Sequence, residues 1–199
     1  YSNECDGINF NEKFFIACLF FKIQMNDVVV FTHMSIQFPE LIKTTRLDIR
    51  RLRREDAEEI FYVYASKAAA VKFMLWPMHH TINDTRRYIA NATTRWARGE
   101  AFVSCVRERE TGRLVGACDV MYQHGHASFG YVFGPAHWGN GYATEACGAL
   151  LAVLQAAHEV KRIWTLVDAD NQASIRVLTK NQLKPEGYLP IGCAFVNQS

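Results

Sequence analysis

The hydrophobic and polar positions after Thr44 follow periods that predict regular secondary structure. Residues 46–52, RLDIRRL, alternate between apolar and polar side chains, which is typical of a strand with Leu47 and Ile49 facing inward. Residues 53–66 begin with charged side chains and continue as an amphipathic pattern, which predicts a helix. The first predicted unit is therefore a strand that leads into a helix.

A second helix and three strands are predicted in the middle of the chain. The helix covers residues 83–98, and Gly99 follows where a helix stop is expected. The strands cover residues 101–107, 113–123 and 126–133, with short turn sequences between them. Because short turns join antiparallel neighbours, these three strands are expected to form a meander.

The last part of the chain alternates between helix and strand patterns. Residues 143–158 repeat apolar side chains every three or four positions, which predicts a helix. Residues 162–167, RIWTLV, predict a strand, and residues 171–180 predict a final helix. Antiparallel strands followed by helix–strand–helix units predict an α/β (α+β) protein, with a mixed, largely antiparallel central sheet and flanking helices.

Composition and charge restrict the classes of function. The chain has 199 residues, of which 49% are hydrophobic, a length and a mixture that suit one domain with a sizeable core. A formal net charge of only +2 argues against nucleic acid as a partner. The longest apolar block, FFIACLFF, is too short for a membrane span, which needs about 20 residues, so no membrane partner is expected. The six cysteines form no CxxC pair, which favours reduced thiols in a cytoplasmic protein.

Residues 1–37 are expected to be an extension of uncertain role that precedes a domain at 38–199. The apolar patches in this extension flank the pair Asn26-Asp27, which could form a hairpin turn. Because the sequence does not begin with methionine, Met34 is a candidate natural start.

The stretch at 135–146, PAHWGNGYATEA, joins the last meander strand to the next helix and carries Gly139 and Gly141. The start of a helix offers unpaired backbone N–H groups, and glycines let an anion approach them closely. A phosphate-binding loop and a tight turn without a ligand both fit this pattern. Nucleotide loops do not fit, since Asn140 replaces the Walker lysine and Thr144 replaces the third glycine of a dinucleotide fingerprint.

Four ordered motifs carry a family resemblance. They are TTRLDIRRLRREDAEEIF at 44–61, LVGACDVMYQ at 114–123, ASFGYVFGP with WGNGYATEA at 127–146, and NQASIRVLTK at 171–180. Together they resemble the GNAT superfamily of N-acetyltransferases, and within it the RimJ/RimL-like branch of ribosomal-protein N-terminal acetyltransferases. The resemblance covers about residues 38–187. It implies the GNAT (acyl-CoA N-acyltransferase) fold for the domain and acetyl-CoA as its cosubstrate.

The resemblance also implies which residues bind acetyl-CoA. The pyrophosphate would lie on the backbone amides of the glycine loop, and the pantetheine arm would extend along the strand before it. Asn171 matches a family asparagine that binds this arm, although a helix N-cap is an equally good role for it. The implied binding residues are Tyr131, Val132, Phe133, His137, Trp138, Gly139, Asn140, Gly141, Tyr142, Ala143, Thr144, Asn171 and Ser174.

The implied reaction is attack of a neutral amine on the thioester of acetyl-CoA. The N–H of Val132 would stabilise the oxyanion, and Ser174, which matches a serine of the branch, would protonate the thiolate unless it is only a packing residue. Asp119 is a candidate base, with a solvated strand residue as the alternative. His124 and Glu145 are weaker candidates, because a turn histidine and a first-turn helix acid explain them well. No metal is expected, since no third ligand accompanies the turn histidines.

Several positions depart from the family pattern. Ser128 stands where many relatives carry a glutamate, Leu178 replaces a helix tyrosine that protonates the thiolate, and Gln182 replaces a glycine. Ala136 removes a side-chain donor to the phosphates. Relatives also insert a final strand beside the fifth, and the end of this sequence offers little material for it. That strand is therefore expected to be missing or to come from residues 1–33.

Two functions remain from these observations. The first is transfer of an acetyl group from acetyl-CoA to a primary amine, either a peptide or protein N-terminal α-amine or a small-molecule amine. The departures support an alternative, a catalytically weakened CoA-binding sensor or interaction module. An α-amine has a pKa of about 7.7–8.0 and is partly neutral near pH 7, so a site without a strong base favours it over lysine.

The acceptor side of the site is less defined by the sequence. Trp76-Pro77-Met78 lies where relatives bind the acceptor, although a packed loop anchor explains these residues equally well. The expected partners are acetyl-CoA and the acceptor amine, and the chain is expected to be a monomer or a homodimer.

Overall fold

An eight-stranded sheet forms the centre of the computed structural model, which describes residues 18–23, 36–189 and 197. The strands are β1 Cys18–Ile23, β2 Leu41–Lys43, β3 Leu47–Arg51, β4 Ala101–Glu108, β5 Leu114–Gln123, β6 His126–Phe133, β7 Arg162–Asp168 and β8 Lys184–Leu189. Their order in the sheet is β2-β3-β4-β5-β6-β7-β1-β8. Every neighbouring pair is antiparallel except β6 and β7, which are parallel. The predicted meander and the mixed sheet are therefore confirmed.

Helices cover both faces of this sheet. They are α1 Ala57–Ile60, α2 Ala68–Val71, α3 Ile82–Ala97, α4 Tyr142–Ala156 and α5 Gln172–Lys180. The single helix predicted at 53–66 is composite, because a 3-10 turn at Arg54–Asp56 precedes α1 and a π-helical turn at Phe61–Ala65 follows it. Helix α3 begins after Thr81 because Thr81 Oγ1 accepts a hydrogen bond from Asp84 N, and Asp84 Oδ2 accepts one from Thr81 N.

The two faces of the sheet carry separate hydrophobic clusters. Helices α1 and α3 pack on one face, where Ile60 and Ile89 are fully buried. Helices α4 and α5 pack on the other face, where Leu150 and Leu178 are fully buried. Because side chains alternate along a strand, neighbouring residues of β5 and β6 point into different clusters.

Strand β1 lies between β7 and β8 and pairs antiparallel with both of them. Cys18 is opposite Asp168 on β7, and Ile23 is opposite Ile163. Strand β7 is the fifth of the strands that the sequence predicts, so β1 occupies the place that the family resemblance assigns to a final strand. The strand is therefore not missing. It comes from the segment at residues 1–33, which was the second of the two expectations.

Other expectations concern the turns and the ends of the chain. Gln182 has a φ of 64°, so it adopts the left-handed conformation that the family assigns to a glycine. The proposed hairpin turn at Asn26-Asp27 and the candidate start at Met34 lie outside the described residues. Among the helices in the described ranges, none is long and apolar enough to cross a membrane.

Candidate active site

The parallel strands β6 and β7 diverge and leave a cleft between them. Their pairing covers only the first three residues of each strand. Where the strands part, Thr165 donates its hydroxyl to Phe129 O at 2.7 Å, and near the far end of β6 the Trp138 indole donates to Phe133 O at 2.8 Å. Between these two hydrogen bonds β6 and β7 do not pair, so this edge of β6 is open toward the cleft.

The register of β6 decides which of its backbone groups face this cleft. Gly134 N donates to Val115 O at 3.0 Å, and the register continues without a bulge to Val132. Hydrogen-bonded positions alternate in an antiparallel pair, so the N–H and C=O of Val132 face β5. The N–H groups of Tyr131 and Phe133 consequently face the cleft.

The glycine loop leads from β6 to the start of α4. Gly139 and Gly141 have φ values of 80° and 78°, a conformation that side chains with a Cβ rarely adopt. Gly141 is the N-cap of α4, and no side chain caps the helix there. In contrast, Thr81 caps α3 and Asn171 caps α5. The first N–H groups of α4 therefore remain for an anion at the positive end of the helix.

A network around Glu145 holds the start of α4 in place. Glu145 Oε1 accepts hydrogen bonds from Thr44 Oγ1 at 2.6 Å and Arg46 N at 2.8 Å, and its Oε2 pairs with Arg46 Nε at 2.7 Å. The Arg46 guanidinium also donates to Asn140 O at 3.0 Å and lies 4.9 Å from the centre of the Tyr142 ring. Burial opposes ionisation of Glu145, but the hydrogen bonds from Thr44 and Arg46 outweigh it and lower the pKa.

Sequence reasoning explained Glu145 by the helix dipole and missed its partners. Thr44 and Arg46 lie 101 and 99 positions earlier in the chain, so no local pattern connects them. The available signal was that TTRL and TEA both belong to the matched motifs.

The donor side of the cleft fits acetyl-CoA. The uncapped amides of α4 suit a diphosphate, and the open edge of β6 suits an arm that contains amides. An added Cβ at Gly139 would meet nothing within 4 Å, so the space above this backbone is open. Among the described residues, no group of three His, Cys, Asp or Glu side chains could hold a metal ion. His124 lies in the turn between β5 and β6, with a φ of 49°.

Ser174 and Tyr131 bring two hydroxyl groups together at this cleft. Their oxygens are 2.6 Å apart, and burial raises the pKa of Tyr131, although its hydrogen bond with Ser174 opposes the increase. Asn171 caps α5 by accepting a hydrogen bond from Ser174 N at 3.1 Å, and its binding to a pantetheine arm stays a prediction. Leu178 is fully buried in the core. The sequence had assigned only the backbone of Tyr131 to the site, so the hydroxyl was missed.

Asp119 lies on the opposite face of the sheet, which α1 and α3 cover. Its cross-strand neighbours are Val103 and Gly130, and an added Cβ at Gly130 would lie 2.9 Å from Asp119 Oδ1. Burial raises the pKa of Asp119 to about 6, while the charge of Arg95 opposes the increase. Burial and the charge of Asp119 together raise the pKa of Tyr88 on α3. A carboxylate in this setting can act as a base near neutral pH.

An aromatic cluster of Tyr64, Trp76, His79 and Tyr88 lies beside Asp119. The Trp76 ring stacks on Tyr88 at 6.1 Å between centres and lies 5.2 Å from His79 and 6.4 Å from Tyr64. His79 Nδ1 hydrogen-bonds with Thr85 Oγ1 at 2.9 Å, and burial lowers the pKa of His79. The cluster is thus an aromatic wall with a buried imidazole, and its Tyr88 lies close enough to Asp119 to sense the charge of that carboxylate.

Known proteins share this arrangement of motifs and strands. Residues 46–184 match the family model described as Acetyltransferase (GNAT) domain. The uncharacterized N-acetyltransferase p20 of Bacillus licheniformis is 28% identical over 153 residues, which cover 75% of this chain and 85% of that protein. The crystal structure of a GNAT-family acetyltransferase from Bacillus anthracis is 26% identical, with a TM-score of 0.67 and coverage of 75% of this chain and 86% of that one.

A further solved structure is similar in fold alone. It is an acetyltransferase from Salmonella typhimurium that modifies the N-terminal serine of a 50S ribosomal subunit protein. The two chains are 20% identical with a TM-score of 0.67, and the match covers 74% of this chain and 87% of that one.

Proposed function

Because the chain belongs to the GNAT acetyltransferase family, we propose that it transfers the acetyl group of acetyl-CoA to the α-amine at the N terminus of a peptide or protein. Acetyl transfer from acetyl-CoA to an amine is the reaction of the family, and the proposal concerns the acceptor. The observation that carries it is the position of Asp119, whose carboxylate lies against Gly130 of β6 in a buried setting that raises its pKa to about 6.

The pKa values of the two kinds of amine favour an α-amine over lysine as the acceptor that Asp119 deprotonates. A protonated α-amine has a pKa of about 7.7–8.0, roughly 2 units above that of Asp119, whereas lysine at about 10.4 lies more than 4 units above it. Each unit corresponds to about 1.4 kcal/mol, so deprotonation of lysine by Asp119 would cost about 3 kcal/mol more. An N-terminal amine is therefore the acceptor that this carboxylate can activate near neutral pH.

We assign the proton transfers to residues on both faces of the sheet. When bound, acetyl-CoA supplies the thioester carbonyl that the amine attacks and the thiolate that leaves. Asp119 first takes the proton of the bound ammonium and releases it to solvent, and it then accepts the proton that the nitrogen loses as the C–N bond forms. The register directs the N–H of Tyr131 into the cleft, so we assign the oxyanion role to it in place of Val132. Ser174 donates its hydroxyl proton as the C–S bond breaks, and the Tyr131 hydroxyl replaces that proton and recovers its own from solvent.

A matched set of acceptors tests the proposal. The set contains a lysine-free peptide with a free N terminus, the same peptide with a blocked N terminus and one added lysine, and a small polyamine. We expect release of CoA thiol with the first peptide, and mass spectrometry should locate the acetyl group on its α-amine. Preferential turnover of the lysine peptide or the polyamine would contradict the proposal. Binding of CoA without turnover of any member would support the weakened CoA-binding module instead.

A further inference from the structure

Residue 197 is hydrogen-bonded to the segment that joins α2 to α3. Asn197 Nδ2 donates to Val71 O and Trp76 O, both at 2.8 Å, and lies 3.4 Å from Met74 O. Asn197 Oδ1 accepts a hydrogen bond from Met78 N at 2.8 Å. One amide side chain thus binds four backbone groups that are 119 to 126 positions away in the chain.

These bonds hold a segment that contains little regular secondary structure. Helix α2 has only four residues, so helical hydrogen bonds hold little of this part of the chain. The segment after it has few backbone bonds of its own, which include Met74 N to Val71 O at 2.9 Å and His79 N to Ala65 O at 3.0 Å. An asparagine suits this place because its side chain offers two N–H donors and one carbonyl acceptor.

The segment carries Trp76, which connects Asn197 to the acceptor side of the site. Trp76 stacks on Tyr88, and Tyr88 is close enough to Asp119 to sense the charge of its carboxylate. A shift of the Trp76 backbone would therefore move the aromatic wall beside the proposed base. In the part of the chain that the structure describes, the hydrogen bonds of Asn197 reach residues 71–78 and not the glycine loop, so its influence is expected on the acceptor side.

We propose that Asn197 is a positioning residue that fixes Trp76 and thereby sets the affinity for the acceptor. The proposal rests on the assignment of this side of the sheet to the acceptor. It names a determinant of acceptor binding outside the matched family region, which ends at residue 184.

Substitutions at residue 197 separate the donor and acceptor sides by kinetics. Asn197→Ala removes all four contacts, and the KM for the acceptor peptide should rise about 10-fold while the KM for acetyl-CoA stays unchanged. Asn197→Asp keeps an oxygen that accepts from Met78 N, but it places a second carboxylate oxygen against the carbonyls of Val71 and Trp76. We therefore expect the KM for the acceptor peptide to rise at least as much as in Asn197→Ala. Asn91→Ala, at an exposed position of α3, is the matched control and should leave both KM values unchanged. An equal rise in both KM values for Asn197→Ala would overturn the acceptor-specific role.

Two measurements test the same contact without any acceptor. In Asn197→Ala, hydrogen exchange at the Met78 amide should accelerate at least 10-fold, since its acceptor is lost. The tryptophan fluorescence should also change, and the change should vanish when Trp76→Phe is introduced in both backgrounds. Unaltered exchange at Met78, or a fluorescence change that persists without Trp76, would overturn the positioning role. If no peptide is acetylated by the wild-type chain, the proposed function fails while these two measurements still decide the inference.

Discussion

The two sides of the candidate active site are built from different parts of the polypeptide. On the donor side, the groups offered to a ligand are backbone N–H and C=O groups, exposed by Gly139, Gly141 and the divergence of β6 from β7. On the proposed acceptor side, the corresponding groups are side chains, chiefly Asp119 and Trp76. A site made of backbone groups requires residues that can adopt a particular backbone conformation. A site made of side chains depends instead on a few particular residues that are distant from one another in the sequence.

Two carboxylates on the face of the sheet that α1 and α3 cover differ in their electrostatic surroundings. Asp56 accepts hydrogen bonds from Arg50, Arg107 and the Arg53 N–H, and these outweigh its burial and lower its pKa. Within the described part of the chain, no cation forms an ion pair with Asp119, and burial raises its pKa. Asp56 therefore stabilises the fold above its unfolded pKa, while Asp119 is ionised at a cost in stability, a combination that is frequent at functional sites.

The largest expected effect is that of Asp119→Asn. We expect kcat/KM for the acceptor to fall about 100-fold, because the base is removed while the shape is kept. In the wild type, kcat/KM should rise with pH through a midpoint near 6 and then level off, and the variant should lack this step. Steady-state rates between pH 5 and about 8, with acetyl-CoA saturating, measure both effects.

Stability provides the second half of this test. The folded pKa of Asp119 lies above its unfolded value of about 3.9, so the folded state binds the proton more tightly. Ionisation therefore lowers stability as the pH rises from about 4 to about 6, and Asp119→Asn should raise the Tm at pH 7. Asp48→Asn on β3 is the control and should change neither the rate nor its pH dependence. A variant that loses activity together with stability would mean that Asp119 is only structural.

The second effect in size concerns the backbone of the donor side. Gly139 and Gly112 have φ values of 80° and 69°, and an added Cβ at either meets nothing within 4 Å. Gly139→Val and Gly112→Val should therefore lower the Tm by similar amounts through strain of about 1–2 kcal/mol. Only Gly139→Val should raise the KM for acetyl-CoA, by about 30-fold, because only that backbone must be approached by the ligand. If the two variants have equal KM values for acetyl-CoA, the diphosphate does not bind at the glycine loop.

The hydroxyl pair at the cleft should give a smaller change in kcat. Ser174→Ala is expected to lower kcat about 10-fold without changing the KM for acetyl-CoA, because proton donation to the thiolate is lost. Tyr131→Phe should have a similar effect, and the double variant should be no slower than either single one if the two hydroxyls act in series. Thr179→Ala, which removes another hydroxyl of α5, is the control. If the reductions in kcat of the two single variants multiply in the double variant, the two hydroxyls do not act in series.

Much of the fold could be predicted because its signals are local. The meander, α4 and α5 could be predicted from periodicity and turn residues. The glycine loop could be predicted because glycine at the start of a helix supplies a left-handed backbone where no side chain caps the helix. Strand β1 was harder to place, because a continuous apolar run does not state which strands it will pair with. The left-handed Gln182 shows that a backbone conformation can persist when the residue that favours it is replaced.

The parts of the site that the sequence missed all depend on contacts between distant residues. Arg46 meets Glu145, Tyr131 meets Ser174, and Asn197 meets the segment at 71–78, and no spacing rule connects the members of these pairs. The raised pKa of Asp119 depends on the helix that covers it, so its sequence context on β5 suggested a solvated residue equally well. Side-chain sites of this kind are visible only once the chain is folded.

The smallest predicted effect, that of Glu145→Gln, tests how far the donor side depends on backbone alone. The variant keeps the shape of the side chain but loses its charge and the pairing with Arg46, and we expect a lower Tm and a rise of about 3-fold in the KM for acetyl-CoA. Glu40→Gln breaks the exposed pair with Arg51 instead, and should leave that KM unchanged. If Glu145→Gln lowers the Tm but not the affinity for acetyl-CoA, the glycines and the uncapped helix are sufficient to shape the loop. If the KM rises as expected, the loop needs a side-chain support that lies about 100 residues earlier in the chain.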